Sequence, residues 1–268
     1  MLADDEGTSP DKRIVQERNR TATLHWLARY GWLTSRMLAA LVWPDAAQSL
    51  SMARRTLKTL TAEKLVISRP LTKGGSAYLL AARGARLLNE QEGVEAQSGN
   101  ALAIGNPIHR AASNWYLIRA VQQGLSIVTE HEIATERGPC RVLMGKTADG
   151  LVIADGGAVV WLECEHSQKS RAERHKVTAL VRDCLAGGRQ VEVGPGLHLA
   201  RVAIVATNEQ ALRWMAASFR DAHRSGVLTE SQVANVDACL LPVSESLVPG
   251  DALDRNLYWD ILVPAMDS

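Results

Sequence analysis

The spacing of hydrophobic positions predicts three helices near the start of the chain. The stretch RIVQERNRTATLHWLARY has apolar residues at near-helical intervals and ends at Gly31. Thr34 can cap a second helix, SRMLAALVW, and Asp45 can start a third. The third helix is expected to bury one stripe, formed by Leu50, Ala53, Leu57 and Leu60.

Alternating hydrophobic and polar positions predict a β-hairpin after the third helix. LVISRPL and SAYLL alternate, TKGG joins them as a turn, and a helix in ARGARLLNEQ follows. Three helices, a hairpin and a helix are the order of a winged helix-turn-helix. We therefore predict such a domain at residues 12–92, with a disordered tail at 1–11 and a polar linker at 93–106.

The remaining residues, 107–268, mix strand-like and helical segments and predict an α/β domain. A helix begins near HRAASNW, and the strand-like segments SIVTEHEI, RVLMG, GLVIAD and AVVWLECE follow it. Ser167 is the predicted cap of the next helix, in SQKSRAERHKVTALVRDCLAGG. A strand in HLARVAIVAT, another helix and the late strands NVDACLLPV and NLYWDILVP complete the prediction.

Charge is distributed unevenly in a chain whose total is nearly balanced. The 268 residues carry a formal net charge of +1, yet residues 11–90 hold 14 lysines and arginines against 5 acidic residues. Such a local basic excess favours nucleic acid as a partner, because cations that neutralise phosphates supply affinity for any sequence.

The third helix carries the residues that we predict to contact DNA. With its apolar stripe facing inward, arginine on the other side can bridge guanine O6 and N7, and serine or threonine can bind base edges or phosphates. The predicted contact residues on this helix are Ser49, Ser51, Met52, Arg54, Arg55, Thr56, Lys58 and Thr59. Arg36 is predicted to face phosphates. Lys73 on the hairpin turn is predicted to reach a neighbouring phosphate or the minor groove, and Gly74 lets the turn approach the DNA closely. The alternatives are an ordinary solvated helix face and a protein-docking surface.

The cysteines and the apolar runs indicate a cytoplasmic protein that does not contact a membrane. Four widely spaced cysteines form no CxxC pair or Cys/His cluster, so reduced thiols are expected. The acidic, polar first residues do not have the pattern of a signal peptide, and no apolar run reaches the ~20 residues of a membrane span.

Several phrases of the sequence resemble the replication-relaxation family of plasmid and integrative-element proteins. They are LARYGWLTSRMLAALVWPD, then ARRTLKTLTAEKLVISRPLTKGGSAYLLAARGARLL, then His109 and Asn114 in HRAASN, and finally ADGLVI with VVWLECEHSQKS. The resemblance spans about residues 24–185. It implies a double-stranded DNA-binding accessory or regulatory protein of a mobile element, acting in replication, conjugative transfer or its transcriptional control.

The resemblance also implies that the second domain is similar to a restriction-endonuclease-like (PD-(D/E)xK) core, which makes the predicted fold class α+β. That core needs an acid at one strand start and an acid-x-lysine on the next strand. Asp149 and Glu163 match the acids, but Glu165 stands at the lysine position. A degenerate domain without catalysis or cofactor is therefore expected. If it is active, Mg²⁺ would be held by Asp149, Glu163 and Glu132, with Lys169 as a displaced lysine.

A second interpretation of the same acids involves no metal. VVWLECE can be an edge strand whose acids lie on a solvated face. We also predict a homodimer, because one such DNA-binding module contacts little DNA and paired half-sites overcome this. Two alternatives stay open: a Mg²⁺-dependent nuclease, and a docking module for a relaxase or a replication protein.

Overall fold

The structure is a computed structural model that describes residues 11–167, 170–185 and 191–255. It is a mixed α/β protein that divides into two units by its internal contacts. Unit 1 comprises the residues up to 70 together with 76–102, and unit 2 comprises 71–75 and the residues from 103 onward. Within the described ranges, no helix combines the length and the apolar character needed to cross a bilayer.

Unit 1 is built from helices and a small antiparallel sheet. Its elements are, in chain order, α1 (Lys12–Tyr30), β1 (Trp32–Leu33), α2 (Ser35–Val42), α3 (Ser49–Ala62), β2 (Val66–Pro70), β3 (Ser76–Leu80) and α4 (Ala82–Glu92). The strand order is β1–β3–β2, with Trp32 opposite Leu79 and Val66 opposite Leu80. The predicted helices and both hairpin strands are therefore present.

The helix ends of unit 1 follow from local chemistry. Gly31 has φ +75° and donates its N–H to Leu27 O, so it ends α1 in a conformation that suits glycine. Thr34 caps α2 by accepting the N–H of Met37. The prediction that Asp45 starts the third helix is wrong, because turns occupy the following residues and α3 begins only at Ser49.

Part of the predicted linker belongs to unit 1. A 3₁₀ turn at Gly99–Ala101 packs on β3, where a Cβ added to Gly99 would lie 2.7 Å from Leu79 Cβ. The guanidinium of Arg69 donates to the carbonyls of Gly99 (3.1 Å) and Leu102. These bonds hold the chain against the sheet up to residue 102.

Unit 2 contains one large mixed sheet with helices. Its elements are α5 (Pro107–Gln122), β4 (Ser126–Thr129), α6 (Glu130–Ala134), β5 (Gly150–Ile153), β6 (Ala158–Glu165), α7 (Arg171–Cys184), β7 (Glu192–Gly194), β8 (Leu197–Ala206), α8 (Glu209–Arg224), α9 (Glu230–Val233), β9 (Val236–Leu240) and β10 (Leu253–Arg255). In the described part of unit 2 the strand order is β10–β9–β8–β6–β5–β4, and β7 pairs with β8. β4, β5 and β6 form an antiparallel meander, whereas β6, β8 and β9 run parallel.

Several predicted boundaries in unit 2 are wrong. The strand in SIVTEHEI stops at Thr129, which caps α6, and RVLMG forms only a single bridge between Leu143 and Lys146. α7 is capped by Ser170, which accepts the N–H of Glu173, and not by Ser167. The predicted strand NLYWDILVP and residues 1–10 of the predicted tail lie outside the described residues.

β6 is a central strand and not the edge strand of the second interpretation. It pairs with β5 on one side and with β8 on the other. Residues 161–165 are all buried, including Trp161, Glu163 and Glu165. The acids of this strand therefore lie in the interior of unit 2, where an ionised group needs a partner.

Candidate functional site

α3 turns its apolar stripe into unit 1 and its basic residues outward. Ala53, Leu57 and Leu60 are at most 1% exposed, whereas Leu50, the fourth residue of the predicted stripe, is only half-buried. The exposed residues of the neighbouring side, which we call the α3 face, are Ser51, Arg54, Arg55 and Lys58. Their spacing of three, four and seven residues places them on one surface. Among the described residues, no acid forms an ion pair with any of its three cations.

The other predicted contact residues of α3 lie on a different side of the helix. Met52, Thr56 and Thr59 are half-buried and line a groove of about 440 Å³ that α1 shares and that Arg55 of the α3 face also lines. At this groove the guanidinium of Arg20 donates to both carboxylate oxygens of Glu63, at 2.8 and 2.7 Å. Ser49 is also half-buried. The exposed surface of α3 therefore includes fewer of the predicted contact residues than the sequence suggested.

The predicted phosphate contacts outside α3 have different surroundings. Arg36 is exposed on α2. Lys73 is exposed too, and its Nζ lies 3.4 Å from a carboxylate oxygen of Glu245. Such an exposed pair contributes little to stability in water. Gly74 has φ +95°, a conformation that the turn needs and that glycine adopts without strain.

A second cluster of functional groups lies where β5 and β6 pair. Asp149 immediately precedes β5, and its N–H donates to Leu162 O at 2.9 Å. The N–H of Cys164 donates to Asp149 Oδ2 at 2.8 Å. The antiparallel register thus brings Asp149 beside Glu163, as the spacing of the two acids predicted.

Glu163 is bound by two donors inside unit 2. Its Oε1 accepts the indole N–H of Trp161 at 2.8 Å, and its Oε2 lies 2.8 Å from Lys146 Nζ. Burial raises the pKa of Glu163 to about 7; Asp149 adds to this rise, while Lys146 opposes it. Lys146 comes from the segment before β5, so no acid-x-lysine spacing could have revealed it.

The remaining residues of the predicted metal and catalytic set are engaged elsewhere or not described. Glu132 caps its own helix: its Oε2 accepts the N–H of Thr129 at 2.8 Å. Glu165 is buried at the end of β6. Lys169 lies outside the described residues. The side chain of Glu163 is only 2% exposed, which leaves little room for the waters that Mg²⁺ retains, and Glu132 is used as a helix cap. The set of Asp149, Glu163 and Glu132 therefore fits Mg²⁺ poorly.

A different set of ligand-type residues surrounds Asp149. One donor atom from each of His109, Glu130 and Asp149 lies within 4.8 Å of the others. His109 Nε2 is 3.5 Å from Asp149 Oδ2, and Arg110 Nη1 is 2.8 Å from Glu130 Oε1. Burial raises the pKa of Glu130, an effect that Arg110 opposes. His109 was noticed only through the family phrase, and Glu130 was missed altogether.

Comparison with known proteins adds no identification. No protein-family model, no curated protein and no solved structure matches this chain. The function proposed below is therefore argued from the motifs of the chain and the geometry of its residues.

Proposed function

We propose that this protein is a double-stranded DNA-binding accessory or regulatory protein of a mobile genetic element. In this proposal unit 1 is a winged helix-turn-helix whose α3 enters the major groove. The protein acts in plasmid replication, conjugative transfer or transcriptional control, a range taken from the family resemblance alone.

The α3 face is the observation that carries the proposal. An exposed helix surface with three cations and no acidic partner among the described residues is suited to a polyanion. Its residues lie on a helix whose opposite side is anchored in the core by Leu57 and Leu60. A rigid helix of this kind can hold arginine in the geometry that guanine recognition requires.

The order of elements gives further support. α1, α2 and α3 are followed by the β2–β3 hairpin, and β1 closes the small sheet. In a winged helix-turn-helix the helix before the hairpin is the one that reads DNA. We propose that the protein binds as a homodimer on two half-sites, because a single module buries too little surface for tight specific binding.

Fluorescence anisotropy with labelled duplexes at several salt concentrations tests the proposal. The double variant Arg54→Ala/Lys58→Ala should bind random duplexes more weakly and reduce the slope of log K against log salt by about 2. Arg141→Ala removes an exposed arginine of unit 2, which pairs with Glu192 at 3.0 Å, and this variant should bind like the wild type. Sedimentation of the complex gives its stoichiometry.

Two outcomes would contradict DNA binding through α3. One is the absence of salt-sensitive binding to any duplex, which would favour a docking module for a relaxase or a replication protein. The other is an equal effect of the Arg54/Lys58 double variant and the Arg141 control. Neither result bears on nuclease activity or metal binding in unit 2, which other experiments test.

A Mg²⁺-dependent nuclease is the second candidate, and the position of Lys146 favours it. An acid at a strand start, an acid on the next strand and a lysine are present together in Asp149, Glu163 and Lys146, although the lysine comes from another segment. Supercoiled plasmid incubated with Mg²⁺ or Mn²⁺ separates the candidates. Nicking that is lost in Asp149→Asn would establish the enzyme; intact plasmid would support a non-cleaving unit 2.

A further inference from the structure

We propose that His109, Glu130 and Asp149 form a binding site for one divalent transition-metal ion of the Mn²⁺ or Zn²⁺ type. The site lies in unit 2 and shares no residue with the α3 face, so it does not depend on DNA binding. It also differs from the set of Asp149, Glu163 and Glu132 that the family resemblance suggested.

The distances between the donor atoms fit a single ion after small side-chain movements. Metal–nitrogen and metal–oxygen bonds are about 2.0–2.2 Å, so two ligands of one ion lie roughly 3–3.5 Å apart. His109 Nε2 and Asp149 Oδ2 are already separated by 3.5 Å. The third donor lies within 4.8 Å of both, so bringing Glu130 to bonding distance requires a shift of no more than about 2 Å.

Local structure holds each of the three ligands in position. Asn106 caps α5 by accepting the N–H of His109, which fixes that residue in the first turn of the helix. Glu130 is the first residue of α6, whose start is fixed by the capping box of Thr129 and Glu132. Bonds of this kind restrict the backbones from which the ligands project.

Two further donors orient the carboxylates themselves. The N–H of Cys164 donates to Asp149 Oδ2, and Arg110 binds Glu130 Oε1. A carboxylate oxygen can accept one of these bonds and still ligate, because it has two lone pairs and each group has two oxygens. Metal ligands are characteristically supported by such neighbouring donors.

The chemistry of the donors selects the class of ion. One imidazole nitrogen with two carboxylates suits Mn²⁺ or Zn²⁺. Mg²⁺ prefers oxygen ligands and retains several waters, so it gains little from the imidazole. The side chains of His109 and Asp149 are 25% and 20% exposed, which leaves the ion and its remaining water ligands a route to solvent.

Metal titration of the full chain tests the proposal. Protein stripped with a chelator is titrated with Mn²⁺ while free Mn²⁺ is measured by electron paramagnetic resonance, and with Zn²⁺ by competition with a chromophoric chelator. We expect one ion per chain. His109→Ala and Glu130→Gln should each weaken binding at least about 10-fold. Asp155→Asn removes an exposed carboxylate from the β5–β6 turn, at the other end of β5 from Asp149, and should have no effect.

Two further measurements check that the variants are folded and that metal binding does not depend on the α3 face. Thermal unfolding without metal checks that each variant is folded, and added Mn²⁺ should raise the melting temperature of the wild type but not of folded His109→Ala. Arg54→Ala/Lys58→Ala should retain full metal binding, so failure of the DNA proposal would not affect this one. Absence of stoichiometric binding would overturn it, as would wild-type affinity in folded His109→Ala or Glu130→Gln, or Mg²⁺ binding as tight as that of Mn²⁺.

Discussion

Replacing Lys146 with methionine tests whether Glu163 is ionised inside unit 2. Methionine keeps much of the aliphatic volume and removes the ammonium group that lies 2.8 Å from Glu163 Oε2. The side chains of Lys146 and Glu163 are only 9% and 2% exposed, so water cannot replace the lost partner.

The pKa of Glu163 sets the size of the effect. Burial and the carboxylate of Asp149 raise this pKa to about 7, so the free energy of unfolding falls as pH rises from about 4.5 to about 7. At pH 8.5 wild-type Glu163 is ionised and paired with Lys146. In Lys146→Met it can avoid an unpaired charge by binding a proton, which at about 1.5 pH units above the pKa costs about 2 kcal/mol. At pH 5.5 Glu163 already carries this proton in the wild type, so the stability lost on replacing Lys146 should approach zero.

Urea unfolding followed by tryptophan fluorescence gives the free energy of unfolding of the wild type and of Lys146→Met at pH 8.5 and at pH 5.5. Trp161 is a suitable reporter because its indole N–H donates to Glu163. Lys176→Met is the matched control: Lys176 lies 2.6 Å from Glu173 on an exposed surface of α7. Lys176→Met should lower the free energy of unfolding by less than about 0.5 kcal/mol at both pH values.

The double variant Lys146→Met/Glu163→Gln provides the decisive comparison. With both charges of this pair removed, it should recover most of the stability that Lys146→Met loses at pH 8.5. The reasoning is refuted by a loss in Lys146→Met that is the same at both pH values, or by one no larger than that of the Lys176 control.

Three further predictions concern other parts of the chain. Burial lowers the pKa of His131 to about 4, so unfolding free energy should fall by up to about 3 kcal/mol as pH drops from about 6.5 to about 4, and His131→Gln should remove most of this fall in acid titrations. Gly84→Ala should cost about 1–3 kcal/mol in urea unfolding, because the added Cβ would lie 2.2 Å from Leu65 O. Arg55→Ala should weaken binding to a selected site by about 1–3 kcal/mol more than binding to random duplex.

Each of these predictions has a control and a contrary result. His175→Gln, on the exposed side of α7, should keep the acid-dependent loss, and retention of that loss in His131→Gln would exclude His131 as its source. Arg86→Ala on the exposed side of α4 should change stability by less than about 0.5 kcal/mol. Equal weakening of selected and random duplex by Arg55→Ala would show that Arg55 contacts only phosphate.

Much of the fold could be predicted from residues that lie a few positions apart in the sequence. The buried stripe of α3, the cap at Thr34 and the β2–β3 hairpin all depend on residues a few positions apart, which sequence spacing reveals. The adjacency of Asp149 and Glu163 was also predictable, because a hairpin joins their strands. The weakest local predictions were helix starts: several polar residues near α7 can serve as a cap, and the structure uses Ser170.

Long-range pairing explains what the sequence did not reveal. β6 was read as a possible edge strand because its partner β8 comes only after a helix. Lys146 beside Glu163, and His109 beside Asp149, are brought together by tertiary packing without any motif spacing. Glu132 was named as a ligand and Glu130 was missed, because the capping role of Glu132 becomes apparent only once the start of α6 is known.

The central place of β6 has a consequence for the growing polypeptide. Ala158 pairs with His198, forty residues later in the chain, whereas the turn that joins β5 and β6 is local. We expect the antiparallel meander to assemble first during synthesis, since nearby segments meet with less loss of chain entropy. Until β8 leaves the ribosome, one side of β6 would offer open backbone groups to other nascent chains. The acids at positions 163 and 165 would then act as gatekeepers against such mispairing.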